Sequence, residues 1–155
     1  MIYNIFFILL LFGALFCAWH ISYADFRRRI IPDVYLFPLL LIGLILINYF
    51  PWPITSAEGA IAAASGYVLA LIIGKIFVFA KRKSNSIDTP IGMGDIKLIS
   101  VGGLWLGVTG LSLALVFACL TGGIWGLVKK QKFIPFAPFF LVGGILSLII
   151  IMFLI

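Results

Sequence analysis

Three clusters of basic residues divide an otherwise oily chain: Arg27-Arg28-Arg29, Lys81-Arg82-Lys83, and Lys129-Lys130 with Lys132. Around them lie apolar runs of the length that crosses a bilayer, about 20 residues for a hydrocarbon core of about 30 Å. Loops rich in Lys and Arg stay on the cytoplasmic side, so the chain must cross an even number of times between one cluster and the next. That rule limits the available folds more than any local propensity does. With 64% apolar and 10% charged residues and a mean hydropathy of +1.27, the chain reads as an integral membrane protein.

Ile2 to His20, Val34 to Phe50 and Gly59 to Ala80 each make one crossing. The first run lacks a basic n-region and a small-x-small cleavage site, and further spans follow it, so it reads as a retained helix rather than a signal peptide. Pro51-Trp52-Pro53 marks a short outer turn, and Thr55 and Ser56 are candidate caps for the next helix. The stretch from Ile96 to Val128 holds 33 mostly apolar residues, too many for one ordinary crossing. Two short helices satisfy the even-crossing rule and one long helix violates it. Gly102, Gly103, Gly107 and Gly110 supply the backbone for a turn around Leu106 to Gly110. The expectation is one all-α, membrane-embedded domain over residues 1–155. Its six transmembrane helices would run over 2–20, 34–50, 59–80, 96–106, 110–128 and 138–155, with both termini outside.

The net charge of +6 belongs mostly to the three clusters on one side of the membrane. Topology and anionic lipid account for it, at about 1 kcal/mol of lipid attraction per residue near the surface, so nucleic acid is not expected as a partner. Cys17 and Cys119 lie within apolar runs without CxxC spacing, which argues for buried thiols rather than a metal site or a disulfide.

Against this background two acids stand out. Asp25 follows the first crossing and Asp95, in Gly92-Met93-Gly94-Asp95, precedes the fourth, so the topology puts both on the cytoplasmic face, where they can meet. An ionised carboxylate costs about 2.5 to 3.5 kcal/mol at the bilayer centre, which favours the boundary, where water reaches. A short fourth helix would thin the bilayer or admit water beside Asp95. Two carboxylates suit peptide hydrolysis: one takes a proton from the attacking water while the other polarises the carbonyl or protonates the leaving nitrogen. Close like charges produce that division of labour. Gly92 and Gly94 would let the backbone turn tightly and a substrate strand approach. Taken alone, the tetrad reads equally as a glycine turn with a helix-capping aspartate.

Three segments read together carry more: Asp25-Phe26-Arg27-Arg28-Arg29-Ile30-Ile31-Pro32, Gly92-Met93-Gly94-Asp95-Ile96-Lys97-Leu98 and Ile134-Pro135-Phe136-Ala137-Pro138-Phe139. In order and spacing they resemble the type IV prepilin peptidase family, membrane aspartic proteases of the GxGD type. The resemblance runs from about Tyr23 to the last span. It implies that Asp25 and Asp95 form a catalytic dyad, with Gly92, Gly94 and Lys97 in support. It also implies that the substrates are prepilins or pseudopilins of pilus or type II secretion systems. Their short basic leader would be cut after glycine, usually before phenylalanine, at the cytoplasmic face of the prokaryotic inner membrane.

Two departures bear on that reading. The family commonly has asparagine after Ile31-Pro32, whereas this chain has Asp33, a third acid within reach of the site. Many bacterial members carry a cytoplasmic insertion with paired CxxC motifs, associated with methylating the new amino terminus, and nothing in these residues corresponds to it. The chain therefore looks like a short, protease-only member with no cofactor, no metal and no methyltransferase activity.

The remaining polar residues have plainer readings. Asp33 and Asp88 read as solvated loop acids, with attraction of the basic leader as the sharper option. Lys97 lies about 200° around the helix from Asp95, which argues against direct pairing. His20 reads as an interfacial helix end, and Glu58 as an acid at an outer helix N-terminus. The small residues Ala60, Ala62, Ala63, Ala64 and Gly66 would let a substrate helix approach closely. The chemistry has a near neighbour in the archaeal preflagellin peptidase. Outside proteolysis, the acids would suit a small ion- or proton-coupled transporter, or a structural subunit in which aspartate neutralises arginine.

Overall fold

A computed structural model describes residues 2–81, 92–130 and 134–154. Among them every regular element is an α-helix: α1 (Ile2–Arg28), α2 (Asp33–Tyr49), α3 (Ser56–Lys81), α4 (Met93–Lys129) and α5 (Phe136–Leu154). Four of these are long and apolar enough to cross a membrane, and α2 is a shorter apolar helix. Large apolar side chains face outward all along the bundle, among them Phe12, Trp19, Phe37 and Val34. Such a surface is at home in hydrocarbon, where an exposed Leu or Phe costs nothing.

The expected break near Leu106 to Gly110 falls at Gly107, whose φ of 67° and ψ of −177° interrupt α4. That backbone region is open essentially to glycine and costs other residues about 1 to 3 kcal/mol. The neighbours on either side show what the break does. Before it, the Ser100 hydroxyl donates to the Ala63 carbonyl at 3.1 Å and Gly103 backs onto Ala62, while Gly66 faces Ile99. After it, Leu111 returns to Gly66. Along α5 the pattern repeats, since Gly102 meets Phe140 and Leu106 nears Gly144, and then Gly110 meets Ile151, Ala114 meets Gly143 and Gly122 meets Phe139. Residues 93–106 and 108–129 thus run in opposite directions, and α4 is a helical hairpin. Its first arm is about 21 Å long at 1.5 Å per residue.

The bends at one end of the bundle are tied by local hydrogen bonds. Thr55 and Glu58 form a reciprocal cap at the start of α3: the Thr55 N–H donates to Glu58 Oε2 at 2.9 Å and the Glu58 N–H to Thr55 Oγ1 at 3.3 Å. The Trp52 indole donates to the Trp105 carbonyl at 3.0 Å, satisfying one of the acceptors that the break at Gly107 leaves without a helical partner. Trp105 in turn donates to the Leu39 carbonyl at 3.0 Å. Tyr3 closes the same end on α2, donating to the Tyr49 carbonyl at 2.6 Å.

Two expectations need adjusting. Helix α1 does not stop at His20 but continues to Arg28, so Asp25 lies within its last turns. Helical hydrogen bonds propagate past the point where side chains cease to be apolar, and the hydropathic run marks a shorter interval than the helix. Cys17 is buried as expected, whereas Cys119 is exposed on the outer side of α4. An apolar run facing lipid does not have to face protein.

Candidate active site

At the end of the bundle opposite the Thr55 cap, the end of α1, the start of α2, the start of α4 and the start of α5 converge. Helix α1 buries a single stripe, Ala14, Cys17, Ile21 and Asp25, at helical spacing. Asp25 is the polar end of that stripe and is 4% exposed. A carboxylate so placed needs partners, and α5 supplies them. The Ala137 N–H donates to Asp25 Oδ2 at 2.8 Å, and the Phe136 N–H also bears on the carboxylate. These are the free first-turn donors of α5, and Asp25 serves as their cap from another helix. Pro138, next in the chain, has no N–H to offer and is tolerated in a first helical turn.

Arg29 adds a positive charge to the surroundings of Asp25. It ends α1 in the left-handed region, with φ of 56°, and its guanidinium interacts electrostatically with Asp25.

Asp95 occupies the first turn of α4 and accepts the Gly92 N–H on Oδ2 at 3.2 Å. The carboxylate thereby caps its own helix from the third position, one half of a capping box. Gly92 has φ of −70°, which any residue can adopt, so no special turn requires it. Gly94 is different. A Cβ there would lie 2.8 Å from Ile31 Cβ, so the glycine lets the first turn of α4 press against the α1–α2 connection. The close approach expected of a substrate strand is made, at Gly94, by the chain itself.

The two carboxylates end within electrostatic reach of each other. Lys97 does not join them: its ammonium pairs with Asp33 Oδ2 at 2.7 Å, and both side chains are about half exposed. Asp33, expected as a solvated loop acid, is the first residue of α2 and is held in that pair. Asp88 lies outside the described residues. The His20 Nδ1–H donates to the Phe16 carbonyl at 3.0 Å, and the ring packs against those of Phe16 and Tyr35.

The model of the type IV leader peptidase family matches residues 9–127. The chain belongs to that family. Relatives named prepilin leader peptidase/N-methyltransferase are 28% identical in Aeromonas salmonicida over 88% of this chain and 48% of theirs, and 28% identical in Pseudomonas aeruginosa over 83% and 44%. In Dickeya chrysanthemi the identity is 30% over 92% of this chain and 52% of the relative. The chain thus spans about half the length of these relatives. No solved structure matches it.

The main-chain donors of Phe136 and Ala137 are site elements that residue types alone did not disclose, whereas the pairing of an aspartate with the neighbouring arginines was among the sequence readings. The signal of those donors was present as Pro135 and Pro138 bracketing a helix start, a position where free N–H groups attract an anion.

Proposed function

We propose that this member of the leader peptidase family is an aspartic endopeptidase whose dyad is Asp25 and Asp95. It removes the short basic leader of a prepilin or pseudopilin, after glycine, at the cytoplasmic face of the prokaryotic inner membrane. The observation that carries the reading is the convergence of two acids from distant helices, one buried, within electrostatic reach of each other. Their surroundings are unequal: two main-chain donors and an arginine bear on Asp25, one main-chain donor on Asp95. Inequivalent carboxyls suit a reaction in which one group takes the proton of the attacking water while its neighbour polarises the scissile carbonyl and then protonates the leaving nitrogen. The pair, not either residue, sets the apparent pKa values.

Six crossings with both termini outside follow if each arm of the α4 hairpin spans the membrane. The reversal at Gly107 supports this, since with it the last residues of α1, α3 and α4, each beside a basic stretch of the sequence, come to the end of the bundle that holds the acids. The segment around the cut bond must leave its helix to expose a carbonyl, which is easiest at the boundary, beside the short first arm of α4. We assign the peptidase step alone to these residues.

Purified protein in detergent should cut a prepilin without any ion gradient. Asp25→Asn and Asp95→Asn should each lower the rate at least about 100-fold, the scale of positioned acid–base groups, with helical content unchanged by circular dichroism. The dependence of rate on pH should be bell-shaped. Full cleavage by either variant refutes the dyad, and gradient-driven flux in liposomes without proteolysis would make the protein a transporter. Cleavage of preflagellins in preference to prepilins would reassign the substrate without changing the chemistry.

A further inference from the structure

Of the small residues of α3 expected to receive a substrate helix, Ala62, Ala63 and Gly66 already carry the first arm of α4, while Ala60 and Ala64 are exposed. A different surface is open. Between α1 and α5, floored by the first arm of α4, lies a cleft of about 230 Å³, its walls set by Leu11, Ala14 and Ala18 on one side and by Leu141, Gly144 and Leu148 on the other. Two tryptophans reach it, and the N–H of each is committed to a main-chain carbonyl, so the cleft presents carbon alone. Its lips, Leu15 and Ile145, are 57% and 50% exposed, so it opens sideways from the bundle.

We propose that this cleft seats the apolar helix that follows the cut bond of a membrane-anchored substrate, an assignment that rests on the peptidase reading above. Three observations choose that occupant. Helix α1 lines the cleft with Leu11, Ala14, Leu15 and Ala18 and carries Asp25 further along, so one helix joins the cleft to the dyad. The cleft also lies at the right depth. Ala18 is seven residues and Leu11 fourteen residues from Asp25, about 10 and 21 Å along the helix. A substrate helix leaving the dyad toward the opposite face would therefore bring its residues roughly 7 to 14 beyond the cut alongside these walls. Finally, the volume holds side chains rather than a whole helix, which fits a helix lying across the lips with its knobs inserted between Ala14, Ala18 and Gly144.

The test uses two probes: a whole prepilin with its apolar helix, and a soluble peptide with the same leader and cut bond that stops before the helix. Ala18→Phe fills the end of the cleft nearer the dyad. Cleavage of the whole prepilin should fall at least about tenfold through KM, the signature of lost ground-state binding, while the peptide stays within about twofold. Equal loss on both probes, or loss on neither, overturns the assignment. A second measurement leaves the packing intact: a photo-crosslinker at Leu15, on the lip, should capture the prepilin at residues roughly 7 to 14 beyond the cut. Adducts confined to lipid acyl chains, or to another copy of this chain, overturn it as well. Wild-type protein that cuts neither probe refutes the peptidase reading itself, whereas cleavage of both with Ala18→Phe indifferent refutes the cleft alone.

Discussion

In the first turn of α4, Asp95 takes its hydrogen bond from Gly92, three residues away, whereas at the end of α1 Asp25 takes its own from Ala137, 112 residues away. The first carboxylate is oriented by its own helix and persists wherever that turn forms. The second exists as a site element once α5 has docked, because a nearly unexposed acid is held by another helix's free N–H groups. Damage to the bundle should therefore uncouple the two acids by misplacing Asp25 and sparing Asp95. Damage to the glycine tetrad should move Asp95 and leave Asp25 capped.

Ala137→Pro gives the strongest break in that contrast. Proline is accommodated in a helix's first turn, so α5 should still form, but the donor to Asp25 Oδ2 disappears and the ring takes its place. A hydrogen bond to a charged group contributes about 1.5 to 3 kcal/mol, and cleavage should drop by about 10- to 100-fold with KM nearly unchanged. Ala137→Ser keeps the N–H and should stay near wild type. Loss of activity in both variants alike would mean that bulk at this position, and not the donor, is what matters.

Gly94→Ala tests the other side. The added Cβ meets Ile31 Cβ at 2.8 Å, both against backbone-borne atoms that yield poorly, and overpacking of this kind costs about 1 to 3 kcal/mol. We expect about a tenfold loss of cleavage, with part of it restored by Ile31→Ala in the same chain. Additive rather than compensating losses in the double-mutant cycle would show that Gly94 acts through something other than this contact.

The legible parts of the molecule are those that lipid or a single turn dictates. Apolar length and basic clusters marked each of the five helices to within a few residues, apart from α1's extension to Arg28, and the glycines at 102, 103, 107 and 110 bracketed the break that falls at Gly107. The Thr55 cap was readable because both partners lie within one turn. What stayed hidden depends on which helix face meets which. The alanines of α3 announced a close approach without saying that α4 would make it, Cys119 turned toward the outside, and nothing in the letters of Ile134 to Phe139 says that the N–H groups of Phe136 and Ala137 bear on Asp25. Asp33 belongs to the same class, since a pairing across 64 residues is set by the docking of α2 on α4.

That pairing supplies the smallest effect and the finest test of the contrast. Lys97 and Asp33 bind each other at 2.7 Å, but their side chains are 42% and 56% exposed, and such pairs contribute about 0 to 1 kcal/mol. Lys97 sits two residues beyond Asp95 yet engages α2, so it belongs to the scaffold that aligns helix starts rather than to the locally built carboxylate. Lys97→Ala and Asp33→Asn should each change cleavage by less than about fivefold. The double variant should behave like either single one, and high salt should erase the difference from wild type. A much larger loss from Lys97→Ala than from Asp33→Asn would place the ammonium on the substrate or on Asp95 during the reaction. The asymmetry between the two acids would then be incomplete, because Asp95 too would depend on a partner that its own first turn does not supply.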